Sequence, residues 1–465
     1  MRKKKEIVIE QLEITDAGAE GVCIGRHEGA VVFVPYVVPG DVVDVTARKK
    51  HAYYEARVVR FVHYSPKRVE PRCCHFGTCG GCKWQQMDYP WQLYYKQKQV
   101  FDHFTRIGKF PFPEIRPILA ADPIFDYRDK MEYTFSDRKW LSKEDLEKAD
   151  TLETRGLGFH LPGMFDKVLD ISYCHLHSEL GNRIRNRLRE FGIQNSYAFW
   201  NARTQEGLLR NLILRRSTTG DYMAIVVFSA WNQQSEALMQ FLQEGFPEIT
   251  ALMYVVNAKQ NDSIADLEVL PYAGQDHLTE RMRDLQFKVS PLAFYQTNPA
   301  QAFKLYSQVE QLAGIRPDEI VYDLYTGTGT IALFVARNAQ KVVGIEYVAS
   351  AVADARINAQ LNGIGNTEFV AGDMAKIFTD DFIAAHGKPD VVLTDPPRAG
   401  MHPKVVEQLL KIAPKRIVYV SCNSATQARD IALLAESYEV TAVQPVDMFP
   451  HTHHVENIAL LQRKA

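Results

Sequence analysis

Nowhere in its 465 residues does the chain hold an uncharged apolar run of eighteen, so no stretch is long enough to cross a bilayer as a helix. Net charge is scarce too. At -2 the chain has no global positive field, so any nucleic-acid partner must be met by local patches. No internal repeat or low-complexity tract appears over residues 125 to about 290, which excludes a solenoid or compositionally biased disorder there. Glu6, Glu10 and Glu13 interrupt what would be the apolar core of a leader after the basic opening Met1 to Lys5, so a cytoplasmic, membrane-free protein is expected. Cysteines number only seven, and four of them crowd into residues 73–82, unlike the even framework of a secreted domain.

At this length, with 46% hydrophobic residues, the chain can build about three ordinary domains. Residues 1–64 carry short β-rich runs (7–9, 30–35, 42–45 and 56–62) broken by glycines, the pattern of a small closed barrel. Residues 1–72 hold 13 Lys and Arg against 10 Asp and Glu. The cluster Arg48, Lys49, Lys50, His51, Tyr53 and Tyr54 mixes cations with aromatics, which suits phosphates and bases, or equally a solvated loop. A helical stretch over 89–107 leads into a proline-rich connector, 108–123. The next region, to about 290, reads as an irregular α+β domain with strands at 131–135, 208–215 and 223–228. From Asn298, which should cap a helix beginning at Pro299, strands at 320–324, 341–345, 367–370, 391–394 and 416–420 alternate with helices. Such alternation implies a Rossmann-like parallel sheet covered on both faces. The expected division is 1–64, 65–290 and 291–465, with the segment at about 90–123 packing on the last domain.

Ligands of such a sheet bind beyond the carboxyl ends of its strands. The first strand runs into Asp323 and Tyr325, then Gly327-Thr328-Gly329-Thr330, where backbone can approach a ligand closely. The second ends at Glu346, a carboxylate able to accept ribose hydroxyls, and the third at Asp373, on the adenine side. Ala332 satisfies the looser dinucleotide fingerprint, so the glycines do not exclude a nicotinamide dehydrogenase. Asp323 tips the reading: a carboxylate there repels a pyrophosphate but suits the cationic sulfonium of S-adenosylmethionine (SAM).

The fourth strand ends in Asp395-Pro396-Pro397-Arg398 and the fifth in Ser421-Cys422-Asn423, so both open onto the cofactor crevice. Asp-Pro-Pro turns occur in amino-group methyltransferases, but a facing cysteine implies other chemistry. Carbon 5 of uracil is a poor nucleophile until a thiolate adds at carbon 6. Cys422 can supply that thiolate, Glu456 the base that removes the carbon-5 proton, and Asp395 the acceptor for uracil N3-H. The structural alternatives are a small buried cysteine and a Glu456 paired with a neighbouring histidine. Cys73-x5-Cys79-x2-Cys82, with Cys174 the best fourth ligand, has the character of an all-thiolate centre for zinc or iron-sulfur. A radical-SAM methylthiotransferase is disfavoured, because its loop has three residues in the first gap where this chain has five, and a Rossmann-like domain stands here in place of its barrel.

These motifs, with Tyr127-Arg128-Asp129-Lys130-Met131-Glu132, Phe294-Tyr295-Gln296-Thr297-Asn298 and His454-Val455-Glu456, resemble the RNA uracil-5-methyltransferase family across nearly the whole chain. The barrel, of TRAM type and OB-like, and the cysteine cluster resemble the branch that modifies 23S ribosomal RNA more than the tRNA branch. The resemblance implies a multidomain α/β protein whose SAM site includes Gln296, Tyr325, Gly327, Thr330, Glu346, Asp373 and Asp395. It further implies a 4Fe-4S cluster on Cys73, Cys79, Cys82 and Cys174, with zinc the alternative, Cys422 as nucleophile and Glu456 as base. RNA is the implied partner, with no obligate protein partner; a catalytically inactive rRNA-binding protein is the competing class. Two departures stand out: Ser424 and Cys74 occupy positions where the family commonly has proline.

Overall fold

A computed structural model describes residues 6–142, 145, 147 and 152–465. The basic opening Met1 to Lys5 lies outside the described residues. The chain divides into two compact bodies, Met1–Ile124 with Asp395–Ala465, and Phe125–Thr394.

In the first body, β1 (Glu6–Ala17), β2 (Cys23–His27), β3 (Ala30–Val34), β4 (Val42–Lys49) and β5 (Tyr53–His63) close into a barrel in the order β1-β2-β3-β5-β4. Alternation along these strands sends Ile9, Leu12, Ile14, Val32, Val34, Val43, Val45 and Ala47 inward. Gln11 (φ 51) breaks the β1/β4 register between Ile9 and Leu12, and its N–H donates to Asp44 Oδ1 at 2.8 Å. The sequence reading missed β2, because Gly21 and Gly25 look like breakers. Gly25 is in fact a strand residue at a close approach, where a Cβ would lie 2.8 Å from Glu13 O. The basic-aromatic cluster forms the β4/β5 turn, but Tyr54 is buried in the barrel core. Lys49 lies over its ring and Lys50 pairs with Glu55, so Tyr54 cannot stack on a base.

A helix over Tyr89–His103 starts at Asp88, whose side chain accepts from Tyr89 N, and a π-turn (Phe104–Gly108) continues it. His103 Nδ1 lies 2.8 Å from Ser424 Oγ, so this helix packs beside the helix Ser424–Leu434 of the same body.

The second body opens with β6 (Lys130–Ser136), β7 (Gly156–Leu161), β8 (Met164–Asp170), β9 (Leu209–Arg216), β10 (Tyr222–Phe228), β11 (Ala251–Val256) and β12 (Leu270–Gly274). They form one sheet, β12-β11-β10-β9-β6-β7-β8, more regular than the expected irregular domain. The expected runs at 131–135, 208–215 and 223–228 correspond to β6, β9 and β10, while β7, β8, β11 and β12 were not anticipated. After the hairpin β13 (Leu278–Met282) and β14 (Leu285–Val289) comes the helix Pro299–Ala313, capped by Asn298 and ended by Gly314 at φ 51. The strands β15 (Ile320–Leu324), β16 (Lys341–Glu346), β17 (Thr367–Ala371) and β18 (Val391–Thr394) then pair in parallel in the order β17-β16-β15-β18.

The chain returns to the first body with the helix Pro403–Ile412, β19 (Arg416–Ser421), the helix Ser424–Leu434, β20 (Tyr438–Val446) and β21 (Glu456–Arg463). Beyond the expected parallel strands, β21 runs antiparallel to both β19 and β20. That reversal puts Glu456, first residue of β21, at the end where β19 delivers Ser421; the two neighbouring pairs are Ser421 with Asn457 and Val446 with Glu456.

Candidate active site

On the second body, β15 ends at Leu324 and the backbone turns through Tyr325 (φ 67), Gly327 (φ 57) and Gly329 (φ 79) before the helix Thr330–Val335. Three left-handed residues in so short a turn are tolerated because two are glycine. Around Gly327 the space is open, so a ligand can approach its backbone. Gly327 N–H donates to Glu346 Oε2 at 3.1 Å, and Val348 N–H to Glu346 Oε1 at 2.9 Å. Each carboxylate oxygen keeps a second lone pair for a ribose hydroxyl, so this cradle fits SAM. Thr330 opens the helix, with its Oγ1 3.4 Å from Thr328 Oγ1, and Asp373 caps the next short helix through Ala375 N. Gln296 lines a small cavity with Asp129, Lys130, Arg215 and Tyr295.

Asp323 does not do what the sequence suggested. It is 1% exposed, and its Oδ2 accepts from Thr326 Oγ1 at 2.6 Å and Ala332 N at 3.1 Å. Burial pushes its carboxyl up to about 7. Asp323 therefore braces the turn from beneath instead of facing a cation.

On the first body, Ser421 Oγ accepts from Asn423 N and donates to Asn423 O, both at 3.1 Å, which pinches the chain around Cys422. Asn423 caps the helix Ser424–Leu434, and its Nδ2 donates to Arg398 O at 3.0 Å. Thr426 Oγ1 donates to the same carbonyl at 3.1 Å. The Asp395 to Arg398 turn and the cysteine turn are thus tied together by two side chains that donate to the Arg398 carbonyl, and Cys422, Asp395, Glu456 and Arg398 form one electrostatic cluster.

Each group in the cluster carries the mark of the others. Burial, then the Glu456 and Asp395 carboxylates, push the Cys422 thiol up to about 11, against the Arg398 guanidinium that hydrogen-bonds to it. Burial and Asp395 push the Glu456 carboxyl up to about 8, again opposed by Arg398. A thiol, two carboxylates and a single opposing cation sharing one site titrate as a set. Arg398 Nη2 also lies 3.5 Å from His454 Nδ1. The sequence reading quoted Arg398 inside a motif without a role; its placement three residues after Asp395 was the available signal.

Gln85 organises the cysteine loop: its Oε1 accepts from Cys73 N at 3.1 Å and its Nε2 donates to Cys82 Sγ at 3.2 Å. Cys73, Cys79 and Cys82 are half-buried and Cys74 is exposed. Cys174, on the second body, is held by Asn182 through both its N–H and its carbonyl. Among the described residues no group of three or more His, Cys, Asp or Glu side chains is arranged to hold a metal ion.

The tRNA (uracil-5-)-methyltransferase family model matches residues 228–464. An RNA methyltransferase of Bacteroides thetaiotaomicron is 53% identical over 96% of this chain and 99% of its own, and one of Chlorobaculum tepidum 42% over 100% and 98%. The crystal structure of Pyrococcus abyssi tRNA (uracil-54, C5)-methyltransferase with S-adenosyl-L-homocysteine superposes with a TM-score of 0.75 at 27% identity, covering 97% of this chain and 100% of that one. The architecture is therefore a multidomain α/β one, a small N-terminal barrel joined to a Rossmann-like methyltransferase domain. Within that class, the chain belongs to the RNA uracil-5-methyltransferase family.

Proposed function

We propose that the protein uses SAM to methylate carbon 5 of a uridine in RNA, with Cys422 as covalent nucleophile and Glu456 as base. The observation that carries this reading is the cluster of Cys422, Glu456, Asp395 and Arg398, in which each carboxylate raises the thiol and the one cation opposes them. As uracil enters, Cys422 loses its proton to solvent and its sulfur adds to carbon 6, leaving an enolate across carbon 5 and O4. Arg398 is the cation able to hold the thiolate. Asp395 accepts from uracil N3-H, which cytosine lacks. SAM, when bound, supplies the methyl group that carbon 5 takes. Glu456 then removes the carbon-5 proton, the C5–H electron pair restores the C5–C6 double bond, and the sulfur leaves. A carboxyl at about 8 suits the last task, because it is a stronger base than an ordinary glutamate yet still ionises near neutral pH. For the cofactor, Glu346 would take the ribose, Gly327 and Tyr325 the open turn, Thr330 the helix start and Asp373 the adenine side, with Gln296 a further residue of the cofactor site.

The barrel and cysteine loop support 23S ribosomal RNA as substrate, through the branch of the family they resemble. A tRNA substrate is the second reading, favoured by the name of the Pyrococcus abyssi enzyme, whose match runs over 97% of this chain and so includes most of these regions. Mapping 5-methyluridine in rRNA and tRNA from cells with and without the gene separates them: loss from 23S rRNA alone supports the first, loss from tRNA alone removes it. Cys73, Cys79, Cys82 and Cys174 remain the proposed ligands of a 4Fe-4S cluster. The three thiols within one loop, and the donor at Cys82 Sγ, are the chemical support. Protein purified without oxygen should be brown and contain iron; a colourless zinc protein would remove the cluster.

A further inference from the structure

Residues 447–455 join β20 to β21 and end at Glu456, so whatever fixes this segment fixes the proposed base. Three of the residues that fasten it lie on one face of the helix Tyr89–His103, at Tyr89, Gln92 and Lys96, three and then four residues apart. Lys96 Nζ donates to Asp447 Oδ1 at 2.6 Å, with both side chains wholly buried, and to Phe449 O at 3.0 Å. Tyr89 Oη donates to Asp447 Oδ2 at 2.8 Å. Gln92, also fully buried, accepts from His451 N at 2.8 Å and donates through Nε2 to Met87 O at 2.8 Å and Trp84 O at 3.0 Å. His451 O in turn accepts from Lys83 N at 2.9 Å and Trp84 N at 3.0 Å, the two residues that follow Cys82. One glutamine therefore ties three segments together: the helix, the end of the cysteine loop and the turn leading to the base.

We propose that Gln92 is a positioning residue for Glu456, with Tyr89 and Lys96 as its partners on the same helix face. None of the three is a catalytic residue, since each acts on the turn and not on the reacting atoms. The inference rests on Glu456 being the base that takes the carbon-5 proton. A base displaced by a fraction of an ångström slows that final proton removal most, because addition of Cys422 and arrival of the methyl group do not use it. The bond that then fails to break is Cys422 Sγ to uracil C6. The diagnostic is accumulation of the methylated, protein-linked RNA, which a merely unstable protein would not give.

The test compares wild-type protein with Gln92→Met, which keeps the side chain's size and removes its hydrogen bonds, and with the milder Tyr89→Phe. The probe is total RNA from cells lacking the gene, incubated with labelled SAM; the readouts are free methylated RNA, labelled RNA retained on the protein in a denaturing gel, and SAM affinity. The expected result is a release of product slower by on the order of tenfold to a hundredfold in Gln92→Met, with labelled adduct building up and SAM affinity within about twofold of wild type. Tyr89→Phe should shift the same way by less, and it carries the test if Gln92→Met does not fold. The inference is overturned if neither variant accumulates adduct, whether turnover is unchanged or falls in step with SAM affinity. Wild-type protein on RNA containing 5-fluorouridine, where carbon 5 has no proton to give up, must form a Cys422-dependent adduct; its absence would overturn the chemistry beneath the inference instead.

Discussion

The cluster around Cys422 makes a quantitative prediction about the free protein: its nucleophile rests as a thiol. With the thiol pushed from an ordinary 9.0 to about 11, the thiolate fraction at neutral pH is lower by two powers of ten. Intrinsic nucleophilicity rises with basicity, with a Brønsted slope of about 0.4–0.5, which returns roughly sixfold to tenfold. Alkylation of Cys422 near pH 7.5 should therefore be about tenfold slower than that of a peptide thiol, and its rate should still be rising above pH 9. Replacing the neighbouring carboxylates, Asp395→Asn or Glu456→Gln, should move the inflection down; Arg398→Ala should move it up. Iodoacetamide labelling from pH 6 to 10.5, followed at the Cys422 peptide by mass spectrometry, reads all four proteins. An inflection at or below about pH 8 in the wild type would refute the reasoning, because it would mean a thiolate formed in advance of substrate.

Glu456 gives a stability prediction with a definite sign. Its folded value of about 8 lies above an ordinary 4.5, so its contribution is fully present below pH 4.5 and is lost as pH rises through 8. Thermal melts at pH 5, 7 and 9 should show wild type losing on the order of 1 kcal/mol per pH unit relative to Glu456→Gln across that window; parallel profiles would overturn it. Lys96→Met leaves Asp447 buried without its cation and should cost about 3–5 kcal/mol, while the double variant with Asp447→Leu recovers a large part, as read by denaturant unfolding. If the double variant is no more stable than the single one, the pair is not the source of the loss. Gly329→Ala forces a side chain into φ 79 with Ala355 and Phe369 about 3 Å away, and should cost about 1–3 kcal/mol and weaken SAM binding in a calorimetric titration. Unchanged affinity would take that turn out of the cofactor site.

Legibility in the sequence followed the range of the forces involved. The strands β15 and β18 were read to the residue because parallel strands buried on both faces are continuous apolar runs, and the helix at Pro299 because its cap is local. The antiparallel return of β21 was not read, since no local signal distinguishes the direction of a buried strand. Asp323 and Tyr54 were assigned to ligands by type, yet each is buried by its fold: Asp323 beneath the turn it braces, and Tyr54 inside the barrel its neighbours enclose. Cys422, Glu456 and Asp395 were picked out because their chemistry is specific and they stand at element ends. Gln92 was invisible, because its decisive bond is to a residue 359 positions away.

The central claim is that Cys422 is the nucleophile of a uracil-5 methyl transfer, and one comparison tests it directly. Wild-type protein and Cys422→Ala are incubated with labelled SAM and total RNA from cells lacking the gene, the RNA is digested to nucleosides, and the label is identified. The account predicts 5-methyluridine with wild type, none with Cys422→Ala, and the same SAM affinity for both. Label on any other nucleoside, or undiminished 5-methyluridine from Cys422→Ala, would contradict it.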